Sequence, residues 1–228
     1  MPASRGPKPG ITVARIIDAA IEIADAEGLG ALSMRRVANH LNAGTMSLYR
    51  HVRDKDELIA RMVDSVFAED PFPDPPPDGW RARLELAARR LWGIFMRHPW
   101  VVPLISITRP LIGPNGMHQT EWALAAVAET GVDSATVAHV VLSLTSFTVG
   151  AAMPVAGEIE AERRTGVTAD AWMEAQAPLL ERVFASGRFP MIVEHFADDD
   201  IIRPDVWFEV GLRSLLDGIA LQIESNQR

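Results

Sequence analysis

Residues 33–57, SMRRVANHLNAGTMSLYRHVRDKDE, hold the chain's densest set of groups that can bind a polyanion. From Ser33 to Lys55 there are five basic side chains (Arg35, Arg36, Arg50, Arg53 and Lys55) against one acid, Asp54. Ser33, Thr45, Ser47 and Tyr49 add hydroxyls. Guanidinium and hydroxyl groups at this density make hydrogen bonds to phosphates and base edges, so the chemistry is recognition and not bond-making. No HExxH, GxSxG, Walker A or GxGxxG pattern occurs. The six histidines do not pair with carboxylates at metal-ligand spacing, and Asp198, Asp199 and Asp200 read as a solvated loop. An enzyme is not expected, and neither a metal nor a cofactor.

Those side chains must be held by helices. Thr12 can cap a first helix whose Val13, Ile16, Ile17, Ala20 and Ala24 recur with helical spacing, and Gly28 ends it. Ser33 caps a second, with Met34, Val37, Ala38 and Leu41 facing inward. Asn42, Ala43 and Gly44 form a turn, and a third helix begins near Thr45. Asp54 and Glu57 make a capping box for a fourth, striped with Leu58, Ile59, Met62, Val63, Val66 and Phe67. Two helices joined by a three-residue turn containing glycine fit a helix-turn-helix, whose second helix enters the major groove of DNA. At 100° per residue, Leu48 and Val52 share the inner face, so Met46, Arg50 and Arg53 point outward with Ser47 and Tyr49 on the flanks. Arg50 can pair with guanine in bidentate fashion, Met46 can touch a thymine methyl, and Ser47 can bond to a base or phosphate. Tyr49, His51 and Lys55 suit phosphates, Lys55 from the first turn of the fourth helix. Arg5 and Lys8, in a Gly/Pro arm, can reach along the backbone or into the minor groove.

Charge supports one DNA-facing end. The net charge is −8, yet residues 1–69 hold nine basic and nine acidic side chains and the remainder thirteen and twenty-one. A neutral head with a basic face on an acidic body presents that face to DNA. With no cysteine, no signal-peptide pattern at the N-terminus and 48% apolar residues, the chain reads as a cytoplasmic globular protein.

The fold class expected is all-α. A helix-turn-helix domain over 1–69, with an arm over 1–11, is followed by a proline-rich connection over 70–79. A larger helical domain for ligand binding and dimerisation covers 80–228. Five prolines between 71 and 77 stop any helix and stiffen the connection. Helices are expected near 78–97, 115–129, 133–163, 168–184 and 204–225, with a Pro-bounded piece at 99–108. Residues 134–157 carry no formal charge and are long enough for a bilayer. His139, five further polar or proline positions and the missing basic flank favour instead a helix buried on two sides. The last helix pairs an apolar stripe (Phe208, Leu212, Leu215, Ile219, Ile223) with a small-residue face at Gly211, Ser214 and Gly218. The uncharged helix has its own small face at Ser143, Ser146 and Gly150. The two faces can meet their symmetry mates in a four-helix homodimer interface; alternatively, both helices lie inside one monomer core.

The words LSMRRVANHL and SLYRHVRDKDEL, followed by the aliphatic fourth helix, resemble the tetracycline-repressor (TetR) family. SITRP at 106–110, SFTVG at 146–150 and FEVGL at 208–212 extend the resemblance into the body. It implies a homodimer that binds a palindromic operator on double-stranded DNA and releases it when a small molecule enters the body. It places Arg35, Thr45, Met46 and Ser47 at base-reading positions and Tyr49 and Lys55 at phosphate contacts. Arg50 stands where the tetracycline repressor has tryptophan, so the operator sequence can differ. The resemblance also implies where a drug–magnesium chelate would sit, and there this chain departs: Ile105, Pro154 and Ser146 replace the aligned histidine, acid and histidine. Isoleucine and proline offer magnesium no side-chain ligand. An apolar or aromatic effector is expected instead, among Trp92, Met96, Trp100, Arg109, Met117, Trp122 and Phe147, with Met153 adding apolar surface and His98 and His118, like Arg109, offering polar handles. A ligand-independent DNA-binding protein or a helical adaptor stays open as the alternative.

Overall fold

The computed structural model describes residues 11–110, 112–196 and 203–226, and among these the fold is all-helical with no strand. Arg5, Lys8 and Asp198 to Asp200 lie outside the described residues. The first four helices are α1 (Val13–Glu27), α2 (Met34–His40), α3 (Thr45–Leu48) and α4 (Lys55–Phe67). The body contains α5 (Trp80–Arg97), α6 (Pro114–Ala128), α7 (Ser134–Thr165), α8 (Ala169–Ala185), α9 (Pro190–His195) and α10 (Pro204–Asn226), with a 3-10 segment at Pro99–Leu104.

Helix starts follow side-chain capping. Thr12 Oγ1 accepts from the Arg15 amide at 3.3 Å, Ser33 Oγ from Arg36 at 3.1 Å, and Asp54 Oδ1 from Glu57 at 2.8 Å. Each satisfies an amide that has no partner within its helix. Glu57 Oε2 completes the box one residue early, accepting from the Arg53 amide at 2.7 Å. Between α2 and α3, Asn42 takes the left-handed conformation, φ 52°, which asparagine tolerates better than most residues. The Ala43 amide then closes onto Ala38 O at 2.9 Å.

Head and body share one core. Ile16, Ile23, Val37, Leu48, Leu58 and Met62 from the first four helices pack in the same cluster as Ile94, Phe95, Trp100, Val101 and Ala152 from the body. A second cluster fills the far end, where α10 brings Phe208, Leu212, Leu216 and Ile219 against Leu84, Ala126 and Val140. The proline connection is pinned at its start. The Arg90 guanidinium donates to the carbonyls of Phe67 and Asp70, and Phe72 stacks on Trp122 at 4.1 Å.

α7 is long and apolar enough to cross a membrane, but it packs on α5, α6 and α10. Expected burial on two sides does not occur within one chain. Val140, Leu144, Thr148 and Ala152 are buried, whereas Leu142, Ser143, Ser146, Gly150 and Met153 are exposed. α8 goes further, with no buried residue at all. α9 was not expected from sequence.

Candidate nucleic-acid interface and effector cavity

The reading face is built by opposition across α3. Leu48 and Val52 are 0% and 1% exposed, while Met46 between the turn and Leu48 is 74% exposed. α3 is short, but the bond from the Val52 amide to Leu48 O at 3.0 Å carries a helical turn past its end. Tyr49 and Arg50 therefore project into solvent from that turn, and Arg35 does so from α2. Thr45, Ser47, His51 and Lys55 are half-buried beside them.

The six basic side chains on this side divide into two sets. Arg36 is tied to Glu27, Arg53 to Asp54 at 2.8 Å and Arg61 to Glu57 at 2.7 Å. Arg35, Arg50 and Lys55 make no ion pair among the described residues. Arg53 is thus half-neutralised by its neighbour, although rotation alone would place it in the outward set. The three unpaired cations belong to the same helix-turn-helix and following turn as the exposed Met46 and Tyr49, so this end of the chain offers free charge together with apolar contact.

Behind α4 lies a cavity of about 280 Å³. α4 contributes Val63, Asp64 and Phe67, α5 Leu91, α6 Gly116 and Gln119, and α7 Val141 and Thr145, with Ile105 to Ile107 closing one side. None of the seven ligand candidates named from sequence lines it. Trp92 stacks on Phe208 at 4.4 Å, and Phe147 stacks on the same ring at 5.8 Å. Trp122 stacks on Phe72 and donates to Arg83 O at 3.4 Å. Met96 packs in the shared core. Met117, Arg109 and His118 are exposed. These aromatics are occupied by one another and by Phe72 and Phe208, away from the cavity. Trp100 and Met153 border a separate hollow of about 300 Å³ between the turn at Leu29–Ala31 and α7.

Two further polar groups join head to body. His98 is buried, with Nδ1 at 2.7 Å from Asp25 and Nε2 at 3.0 Å from Glu69. Trp100 Nε1 donates to the same Asp25 oxygen at 2.7 Å. His98 is therefore a head–body clamp and faces no ligand space. Asp64, unforeseen, accepts from the amides of Asn115 at 2.8 Å and Gly116 at 3.2 Å and from Asn115 Nδ2 at 2.9 Å. A lone acid within the apolar stripe of α4 was the available signal.

Of the three positions where the resemblance would place groups around a magnesium chelate, Ile105 offers the cavity only a hydrocarbon side chain, and Ser146 and Pro154 are exposed and outside it.

The small faces divide as well. Ser143, Ser214 and Gly218 border a shallow groove between α7 and α10. Ser146 is exposed, and open space surrounds Gly150 and Gly218. Gly211 does not belong with them: a Cβ there would stand 2.6 Å from Phe147 Cε2, so its smallness admits a ring of the same chain.

Comparison with known proteins agrees with both ends of this layout. Residues 16–62 match the family model "Bacterial regulatory proteins, tetR family", and residues 72–223 match "Tetracyclin repressor-like, C-terminal domain". The HTH-type transcriptional repressor DrrR1 of Streptomyces coeruleorubidus is 42% identical over 96% of this chain and 81% of its own. Apo ActR from Streptomyces coelicolor superposes with a TM-score of 0.76 at 29% identity, covering 97% of this chain and 99% of that one. ActR in complex with actinorhodin gives 0.74 at 31% identity, over 93% and 96%. The two family models together span residues 16–62 and 72–223, and with a repressor 42% identical over nearly the full length they show that the chain belongs to the TetR family of DNA-binding transcriptional regulators.

Proposed function

We propose that this regulator is a homodimeric repressor that grips a palindromic operator with two copies of the Arg35–Lys55 face and releases it when an apolar or aromatic molecule enters the cavity behind α4. The carrying observation is the face itself. Arg35, Arg50 and Lys55 are unpaired and Met46 and Tyr49 exposed, in a segment anchored by Leu48 and Val52. In this reading Arg35, Thr45, Met46, Ser47 and Arg50 read bases, and Tyr49, His51 and Lys55 hold phosphates. Such a protein works in the cytoplasm on duplex DNA and uses no membrane.

Dimerisation is supported by what one chain leaves uncovered. Trp172, Leu179 and Phe184 on α8, then Met191, Ile192 and Phe196 around α9, are all exposed. Val210 and Leu221 on α10 join them at 56% and 67% exposure. A two-fold partner packed on these helices would cover large apolar side chains that the single chain leaves in water. Ser214 and Gly218 lie on the same helix, and Ser143, Ser146 and Gly150 on its neighbour; Gly211 drops out of this interface.

The ActR complex with actinorhodin supports a small-molecule effector for this architecture. Here the cavity touches α4, whose first turn follows the reading segment directly. A ligand that binds the DNA-incompetent arrangement better shifts α4 and alters the separation of the two faces, which must match half-sites about 34–36 Å apart.

Selection of bound duplexes from random DNA tests the reading. Enrichment of an inverted repeat, bound by a dimer in sedimentation, is expected. A monomer that enriches no sequence removes the proposal.

A further inference from the structure

We propose that the cavity behind α4 takes a lipophilic amine in its protonated form, with the ammonium held at Asp64, which it shares with the first turn of α6. This rests on the effector reading above and adds the charge of the effector. Asp64 brings the one carboxyl group among the described lining residues; no Lys, Arg or His lines the space. The cations nearby are directed elsewhere. Arg90 donates to the carbonyls of Phe67 and Asp70 and, at 2.6 Å, to Gln119 Oε1, and Arg109 is exposed outside the wall.

The neutral polar groups lean the same way. Thr120 Oγ1 donates to Gly116 O at 3.3 Å and Thr145 Oγ1 to Val141 O at 2.9 Å. Their protons are turned into their own helices, so what they offer a ligand is oxygen lone pairs. Gln119 has its oxygen on Arg90 and an amide proton on Ala87 O at 3.1 Å. Ser106 Oγ accepts from the Arg109 amide at 3.0 Å, and its hydroxyl lies 3.3 Å from Thr108 Oγ1, which can take its proton. A carboxylate ligand would enter beside Asp64 with no countercharge in the wall, and burying an unpaired charge is costly. An ammonium meets a carboxylate and several acceptors, while Val63, Phe67, Leu91, Ile105 and Val141 flank its ring system.

Asp64 has room for it. A carboxylate offers about four lone-pair positions, and three are in use: Asn115 N and Gly116 N on Oδ1, and Asn115 Nδ2 on Oδ2. An ammonium at the open position of Oδ2 shares that oxygen with Asn115 Nδ2, and by drawing on its charge it weakens the tie between α6 and α4. Occupancy is thereby linked to the helix that carries Lys55 and follows the reading segment.

The test uses three probes sharing one ring system: naphthylmethylamine (a cation at neutral pH), naphthalenemethanol (neutral) and naphthylacetate (an anion). Each is titrated calorimetrically into the full chain and into Asp64→Asn, which keeps an oxygen for the Asn115 and Gly116 amides but carries no charge. On the native protein the amine should bind at least about tenfold more tightly than the other two, as expected for one added charge pair. Asp64→Asn should lose that margin and hold the alcohol as before. The native comparison stands alone if the variant fails to fold. Binding of the alcohol or the acid as tight as the amine overturns the assignment of a cation and leaves the effector reading standing. Saturable binding of none of the three overturns both.

Discussion

Gly113 stands directly against the carboxylate of Asp64, so that a β-carbon placed on it would overlap Oδ1, Cγ and Cβ of that side chain. The backbone there is extended, φ −150° and ψ 153°, which any residue can adopt. Space, and not torsion, demands the glycine. Gly113→Ala should drive α4 and α6 apart at a cost of about 1–3 kcal/mol, read as a lower urea midpoint. Gly116→Ala, three residues on with open space around it, should leave the midpoint unchanged or slightly raised. Equal behaviour of the two would show that the Asp64 joint is soft.

Arg50 and Lys55 have different jobs in the proposed complex, and binding selections separate them. Arg50→Ala should relax preference at one operator position by about 1–3 kcal/mol, because a bidentate base contact is lost. Lys55→Ala should weaken every sequence alike and reduce the salt dependence by about one counterion. If both variants lose affinity uniformly, Arg50 touches only the backbone.

α8 offers a clean probe of assembly because no side chain on it is buried in the single chain. Trp172→Asp with Leu179→Asp should leave the helical content intact while sedimentation shows a monomer. Operator affinity should then fall about a hundredfold or more, the loss expected when two linked binding events become one. A dimer that survives the double change places the interface elsewhere.

The start of α4 carries a pH signature. The Glu57 amide, then the Arg53 guanidinium, holds the Asp54 carboxyl below its usual value of 3.8. The Arg53 amide, then Arg61, holds Glu57 below 4.5. Both native values are depressed, so the stabilisation is complete above the unfolded values and is lost as pH falls through the native ones. Asp54→Asn keeps a capping oxygen without the titration. The melting-temperature gap between native and variant should be constant near neutrality and shrink once the pH drops below about 3.8. A gap that changes between neutral and mildly acidic pH would point to another group.

Capping was legible in the sequence because it is local. Thr12, Ser33, Asp54 and Thr168 each bond three residues ahead, so type and spacing sufficed. The opposition of Leu48 and Met46 followed from rotation about a helix. The cavity was not legible, for a physical reason: it is a space that α4, α5, α6 and α7 jointly fail to fill. Trp92 and Trp122 read as its walls, but their ring partners, Phe208 and Phe72, come from a distant helix and an irregular segment, a pairing that spacing along one helix does not reveal. The same holds for Gly211, whose small size reads identically whether a second subunit or Phe147 occupies the gap.

The core shared by Leu48, Met62, Phe95, Trp100 and Val101 makes the DNA-reading end a poor cartridge. Cutting the chain after α4 would strip Ile16 and Val66 of the aromatic and aliphatic floor they rest on, leaving a sticky stump and not a miniature regulator. Hybrids that transplant foreign heads onto this body should work only when the donor's underside is recut to seat on Phe95 and Trp100.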